Sequence, residues 1–211
     1  MNNHSIAIFG TSRSGKDYTI KETVRILKSQ GVDYSHVSMI GSVHSILEGD
    51  KLSHMSEPER EKILKKVRNR IDNAALEGNI FVDEHYCFPK TYGGEAIHNS
   101  YADEKLPYHD VYDEDLDRTY EVVFKDFYID GYDAVYYLDI DSKILLNRFR
   151  TSEAEKKNEK ITINDIRLWK LFEISEIRRL CNLKNIPFKQ LIDPSMTSTD
   201  IAEDIIRRFE S

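Results

Sequence analysis

A phosphate-binding motif lies close to the N-terminus of the chain. Residues 10–17 read Gly-Thr-Ser-Arg-Ser-Gly-Lys-Asp, which has the spacing G-x-x-x-x-G-K. The two glycines let the backbone curl so that successive N–H groups point at phosphate oxygens, and the following helix adds positive potential. The Lys16 ammonium can neutralise the β- and γ-phosphates. The motif predicts a nucleoside triphosphate site; the alternative, for the motif alone, is a glycine-rich turn that binds nothing.

The residue after the lysine departs from the usual motif. Asp17 stands where Ser or Thr normally offers a hydroxyl to Mg²⁺, and a carboxylate can also hold that ion, directly or through water. A second carboxylate for the same ion is expected at Asp83, which follows the apolar run Ile80-Phe81-Val82. Taken alone, an Asp at the end of a strand is more often a turn former or a helix cap than a metal ligand. Together, Asp17 and Asp83 are the predicted metal ligands.

Positive charge is expected on the other side of the phosphates. Arg148 and Arg150 end a predicted helix over 141–150 and precede a polar segment, about 151–161. We interpret this segment as a short lid; the alternative is a solvated surface connection. An arginine that neutralises a transferring phosphoryl group raises the rate greatly. The alternative is a charged helix end favoured by the helix dipole. The predicted catalytic residues are Lys16, Asp83 and Arg148, and the predicted contacts to the donor nucleotide are Gly10, Ser12, Arg13, Ser14, Gly15, Lys16, Asp17, Tyr18, Arg148 and Arg150.

Strand-like and helical segments alternate along the chain, which is typical of a parallel sheet wound by helices. We expect an α/β fold of three layers, α/β/α, around a five-stranded parallel sheet, in a single domain over residues 1–211. Residues 86–130 break the alternation and are interpreted as an enlarged insertion on the acceptor side, with a helix around 116–127. The predicted strands are 6–9, 36–40, 80–82, 134–138 and 188–192, and the predicted helices include 15–29, 56–75, 141–150, one from Thr162, and 197–209.

The composition excludes several classes of protein. A formal net charge of −7 over 211 residues, with no basic stripe, argues against a nucleic-acid polymer as partner. The two cysteines, Cys87 and Cys181, lack metal-ligand spacing and fit a reducing cytoplasm. The first strand starts near Met1, which leaves no room for a signal peptide, and no apolar run reaches membrane-spanning length. We therefore expect a cytoplasmic protein without a membrane partner; a homo-oligomer is left open.

Two sets of residues resemble known kinases. The loop ending Ser-Gly-Lys-Asp resembles that of phage-type deoxynucleoside monophosphate kinases and of animal phosphomevalonate kinases. Residues 50–60, the run Glu-Gly-Asn-Ile-Phe-Val-Asp-Glu-His at 77–85, and residues 132–148 resemble archaeal-type adenylate kinases, in the P-loop nucleoside monophosphate kinase-like family. That resemblance implies transfer of the γ-phosphoryl of ATP, with Mg²⁺, to a small phosphorylated acceptor such as a nucleoside monophosphate.

The acceptor is less determined than the donor. Residues at the carboxyl ends of the strands are expected to contact it, because open α/β sheets bind ligands there. The candidates are Gly41, Ser42, Glu84, His85 and Lys90, although His85 could equally be an interior residue. The segment 87–130 is longer than in adenylate kinases and differs from them. Two alternatives stay open, namely a kinase of a non-nucleotide phosphorylated metabolite and an ATP-binding switch protein with weak ATPase activity.

Overall fold

The computed structural model describes residues 3–47, 55–89, 120–122, 126–151, 161–192 and 197–209. The strands are β1 (Ser5–Phe9), β2 (Ser35–Ser38), β3 (Ile80–Asp83), β4 (Cys87–Pro89), β5 (Tyr120–Val122), β6 (Ala134–Leu138) and β7 (Phe188–Leu191). The helices are α1 (Lys16–Ser29), α2 (Met39–Leu47), α3 (Glu57–Glu77), α4 (Ser142–Arg150), α5 (Ile163–Lys184) and α6 (Thr197–Phe209), with a 3₁₀ helix at Asp126–Gly131. None of these helices is long and apolar enough to cross a membrane.

Five strands form one parallel sheet in the order β2-β3-β1-β6-β7. The central strand β1 is buried along its whole length, which explains why the run Ile6–Phe9 is continuously apolar. It pairs with β3 so that Ile8 lies opposite Asp83, and with β6 so that Phe9 lies opposite Tyr137. The expected five-stranded parallel sheet is confirmed. Its order places the residues that follow β1 beside the carboxylate that ends β3.

Helices cover both faces of this sheet. Ile6 and Ile8 point to one face, where they join a hydrophobic cluster with Ile20 of α1 and Ile205 of α6. The β1 residues that alternate with these two point to the other face, where a larger hydrophobic cluster joins side chains of α2, α3, α4 and α5. Alternate residues of a strand face opposite sides, so an apolar strand needs a helix layer on each side. The expected three-layer α/β/α arrangement is confirmed.

The second strand is shorter than expected. It ends at Ser38, and residues 39–47, of which 39–40 were expected to continue the strand, form α2. The hydroxyl of Ser38 accepts a hydrogen bond from the backbone N–H of Gly41 at 3.1 Å. That contact satisfies one of the unpaired N–H groups of a first helical turn, as an N-cap residue does. Gly41 and Ser42 therefore lie in the first turn of α2.

The prediction of a helix around 116–127 is wrong at residues 120–122. Residues 120–122 form β5, which pairs antiparallel with β4 so that Val122 lies opposite Cys87. Tyr and Val favour extended backbone when a partner strand is present, and that partner lies more than 30 residues away in sequence. Of the predicted insertion, residues 90–119 and 123–125 lie outside the described residues.

Candidate functional site

The loop between β1 and α1 has the backbone geometry that its glycines allow. Gly10 has φ 155°, Gly15 has φ 96° and caps the start of α1, and Arg13 also has a positive φ, 67°. A Cβ on Gly10 would lie 2.8 Å from the Oγ of Ser14 and 3.2 Å from the carbonyl of Leu138. Only glycine therefore lets the loop pass this close to β6.

Lys16 is buried against the loop that it follows. Its Nζ donates to the carbonyl of Gly10 at 2.6 Å and to that of Thr11 at 3.3 Å. Burial lowers the pKa of Lys16 to about 8, against the opposite effect of nearby carboxylates, of which Glu173 has the largest influence. The ammonium group is thus held at the loop by carbonyl oxygens that a bound anion could replace.

Two hydroxyls of the loop have no hydrogen-bond partner among the described residues. The Oγ1 of Thr11 and the Oγ of Ser14 are both buried. Buried polar groups are normally paired, and a hydroxyl can donate to a phosphate oxygen. These two groups, with the lysine and the loop amides, fit a polyphosphate. Ser12 is half-buried in the same loop, whereas Tyr18 is 72% exposed on α1.

Arg148 reaches the same loop from α4. One nitrogen of its guanidinium, Nη1, donates to the carbonyl of Arg13 at 2.9 Å and to that of Ser14 at 3.0 Å. Arg150 lies in the last turn of the same helix and is exposed. Of the expected lid that follows, residues 152–160 lie outside the described residues.

The two predicted metal ligands lie together, and a third residue joins them. Asp17 is exposed in the first turn of α1, and Asp83 is buried at the end of β3. A ligand atom from each, and one from His36 of β2, all lie within 4.8 Å of one another. Ser38 donates to the Oδ2 of Asp83 at 3.4 Å. The carboxylate pair fits Mg²⁺, which prefers oxygen ligands. Sequence reasoning missed His36, because its position beside Asp83 depends on the pairing between β2 and β3.

Of the residues expected to contact an acceptor, Glu84 and His85 are both buried. Tyr132 donates a short hydrogen bond to Oε1 of Glu84, while Oε2 has no partner in the described part of the chain. Burial raises the pKa of Glu84 to about 8 and holds the pKa of His85 well below its usual value. Lys90 lies outside the described residues.

A further buried carboxyl, Glu173, interacts electrostatically with Lys16. It accepts hydrogen bonds from Tyr137 Oη at 2.9 Å and from the backbone N–H of Cys87 at 3.4 Å. Burial raises the pKa of Glu173 to about 7, although Lys16 and the hydrogen bonds act in the other direction. Sequence reasoning missed Glu173. The available signal was one acidic residue among the apolar positions of α5, next to Phe172 and Ile174.

Comparisons with known proteins bear on the fold alone. No protein-family model matches the chain, and no curated protein matches its sequence. The YorR protein of Bacillus subtilis, solved in complex with phosphorylated GDP, aligns with a TM-score of 0.50 and 17% identity, over 98% of this chain and 95% of that one. A shikimate kinase from Bacteroides thetaiotaomicron aligns with a TM-score of 0.49 and 11% identity, over 99% of both chains. The likeness to the YorR protein shows a shared fold, a parallel sheet with a glycine-rich loop after its central strand.

Proposed function

We propose that the chain is an ATP-dependent phosphotransferase that transfers the γ-phosphoryl group of ATP to a small phosphorylated acceptor. The observation that carries the proposal is the convergence of Lys16, Asp17, Asp83 and Arg148 around one loop. These residues come from α1, β3 and α4. They supply what phosphoryl transfer requires, namely cations around the phosphates and carboxylates for a metal ion.

The loop binds the triphosphate in this proposal. Its amides, with the hydroxyls of Thr11 and Ser14, donate to phosphate oxygens, and the Nζ of Lys16 exchanges the Gly10 carbonyl for the β- and γ-phosphates. With a pKa of about 8, Lys16 is mostly protonated at neutral pH, and a phosphate beside it favours the charged form further.

Asp17 and Asp83 hold Mg²⁺ in this proposal. When bound, that ion neutralises phosphate charge and orients the β- and γ-phosphates. Arg148 stabilises the negative charge of the transferring phosphoryl group in this proposal, because its guanidinium already lies against the loop at Arg13 and Ser14. Arg150 adds positive charge at the same helix end. The chain thus surrounds the reacting phosphates with three cationic side chains and two carboxylates.

We propose a nucleoside monophosphate as the acceptor, on the resemblance to archaeal-type adenylate kinases. Gly41 and Ser42 at the start of α2, with Glu84, His85 and Lys90, are the proposed acceptor residues. A non-nucleotide phosphorylated metabolite is the second candidate. The β4–β5 pair favours it, because β4 begins two residues after His85 and both strands lie in the segment that departs from adenylate kinases.

The test is incubation of the protein with Mg-ATP and one candidate acceptor at a time, with products separated by chromatography. We expect ADP and phosphorylated acceptor in equal amounts, with a nucleoside monophosphate as the best substrate.

Lys16→Ala should reduce turnover by about a thousandfold or more, because it removes a positive charge whose interaction with the phosphates strengthens in the transition state. Lys21→Ala, an exposed lysine of the same helix, is the matched control and should keep wild-type turnover. Phosphate release that is independent of any acceptor would instead support a switch protein.

A further inference from the structure

His36 lies where a metal ligand would lie. Its Nε2 is 3.2 Å from the Oδ1 of Asp83, and the ligand atoms of Asp17, His36 and Asp83 all lie within 4.8 Å of one another. In an octahedral complex with bonds of about 2.1 Å, adjacent ligand atoms lie about 3.0 Å apart and opposite ones about 4.2 Å apart. The three side chains are therefore close to the spacing that one ion requires.

The fold itself brings these side chains to one face of the sheet. β2 pairs with β3 so that His36 lies opposite Phe81 and Ser38 lies opposite Asp83. Residues two apart on a strand share a face, so Phe81 and Asp83 point the same way, toward the layer that contains α1. Asp17 approaches from the first turn of α1. The cluster thus follows from strand pairing and helix placement.

A second contact orients the buried carboxylate. The hydroxyl of Ser38 donates to the Oδ2 of Asp83 at 3.4 Å, while Oδ1 faces His36. Metal-binding carboxylates are commonly held in this way by a hydrogen bond to the oxygen that does not face the ion. The arrangement leaves Oδ1 as the ligand atom and gives it an imidazole nitrogen as neighbour.

We propose that Asp17, His36 and Asp83 form one divalent metal site with His36 as a direct ligand. The site therefore binds a first-row transition metal ion more tightly than Mg²⁺, and it does so without nucleotide. Imidazole suits such ions, whereas Mg²⁺ prefers oxygen and gives up its water reluctantly. The inference deepens the proposed function and rests on it, since Asp17 and Asp83 are the ligands proposed there. Alternatively, His36 only hydrogen-bonds to Asp83.

The test is calorimetric titration of the metal-free, nucleotide-free full chain, without a histidine tag, with Co²⁺ and with Mg²⁺. We expect Co²⁺ to bind at least about tenfold more tightly, with visible absorption bands that report a nitrogen ligand. His36→Gln keeps a hydrogen-bond donor but removes the imidazole, so it should weaken Co²⁺ binding about tenfold or more and Mg²⁺ binding less than about threefold. His44→Gln, an exposed histidine of α2, should change neither affinity.

Equal affinities for the two ions in the wild-type chain, or an equal loss or no loss in His36→Gln, would overturn the proposal. Should His36→Gln fail to fold by circular dichroism, His36→Glu decides, because an oxygen ligand there should narrow the ratio of Co²⁺ to Mg²⁺ affinity. No nucleotide is present in these titrations. A failure here is therefore distinct from a failure of the phosphotransferase assay.

Discussion

At the scale of single residues, the site contains ionisable side chains that are buried. Lys16 donates to backbone carbonyls and interacts electrostatically with Glu173, and both oxygens of Glu173 accept hydrogen bonds. Burying a charge is costly unless partners compensate for it, and in this structure the pKa of Glu173 is raised to about 7. The neutral form of this carboxyl is therefore favoured in the folded chain below about pH 7.

That raised pKa predicts a pH dependence of stability. The pKa of Glu173 is about 7 when folded and 4.5 when unfolded, so the folded state binds more protons between these values. The free energy of unfolding should therefore fall as pH rises through this range, by an amount on the order of 2–3 kcal/mol. Glu173→Gln cannot titrate and should lose this contribution. Urea unfolding at pH 5 and pH 8 measures it, with the exposed Glu203→Gln as control. An unchanged pH slope in Glu173→Gln would contradict the assignment.

At the scale of elements, α5 bears Glu173, and other side chains of this helix bind it to the rest of the fold. Trp169 donates from Nε1 to the carbonyl of Cys87 at 3.1 Å, and Lys170 donates to that of Ile140 at 2.6 Å. The helix begins with a capping box, in which Thr162 Oγ1 accepts from Asp165 N at 3.2 Å and Asp165 accepts from Thr162 N at 2.7 Å. Local residues thus determine where α5 starts.

Removing that cap should destabilise the chain. Thr162→Ala leaves a helix N–H without its side-chain partner, and we expect a loss of about 1 kcal/mol in the free energy of unfolding. Thr162→Ser retains the hydroxyl and should lose less than half of that. Chemical unfolding of the three proteins measures the difference. A Thr162→Ala variant as stable as the wild type would show that the cap contributes nothing here.

At the scale of the whole molecule, the parallel sheet collects residues that are distant in sequence. Strand β1 lies between β3 and β6, so the loop that follows it meets Asp83 on one side and α4 on the other. Open α/β sheets bind ligands at this edge, beyond the carboxyl ends of the strands. A ligand that contacts several elements at once should stabilise the fold as a whole.

Mg-ATP should therefore raise the melting temperature. At about 100 times its dissociation constant a ligand adds about 2.7 kcal/mol, which for a chain of this length is a shift of about 5–10 °C. Lys16→Ala should lose most of the shift, because the phosphates lose their main cation. Adenosine, which has no phosphates, is the control and should give little shift. Differential scanning fluorimetry measures all three, and an equal shift with adenosine would contradict binding through the loop.

Much of this fold could be predicted from short stretches of sequence. The glycine spacing at 10–15, the apolar run before Asp83 and the capping box at Thr162 depend on neighbours in the chain, and the structure has the corresponding loop, strand and helix. The prediction failed at β5, because its partner strand lies far away in sequence. The metal and catalytic roles of Asp17, Asp83 and Arg148 stay predictions, although the structure brings all three to the loop.

The sequence by itself determined the loop, the lysine and the alternation of strands and helices, because backbone freedom and apolar periodicity are local properties. Only the tertiary structure decided that His36 lies beside Asp83 and that a buried Glu173 interacts electrostatically with Lys16. The first depends on the register between β2 and β3, and the second on how α5 packs against the sheet. Those contacts join distant parts of the chain, and hydrophobic burial on both faces of the sheet, rather than any local motif, determines them.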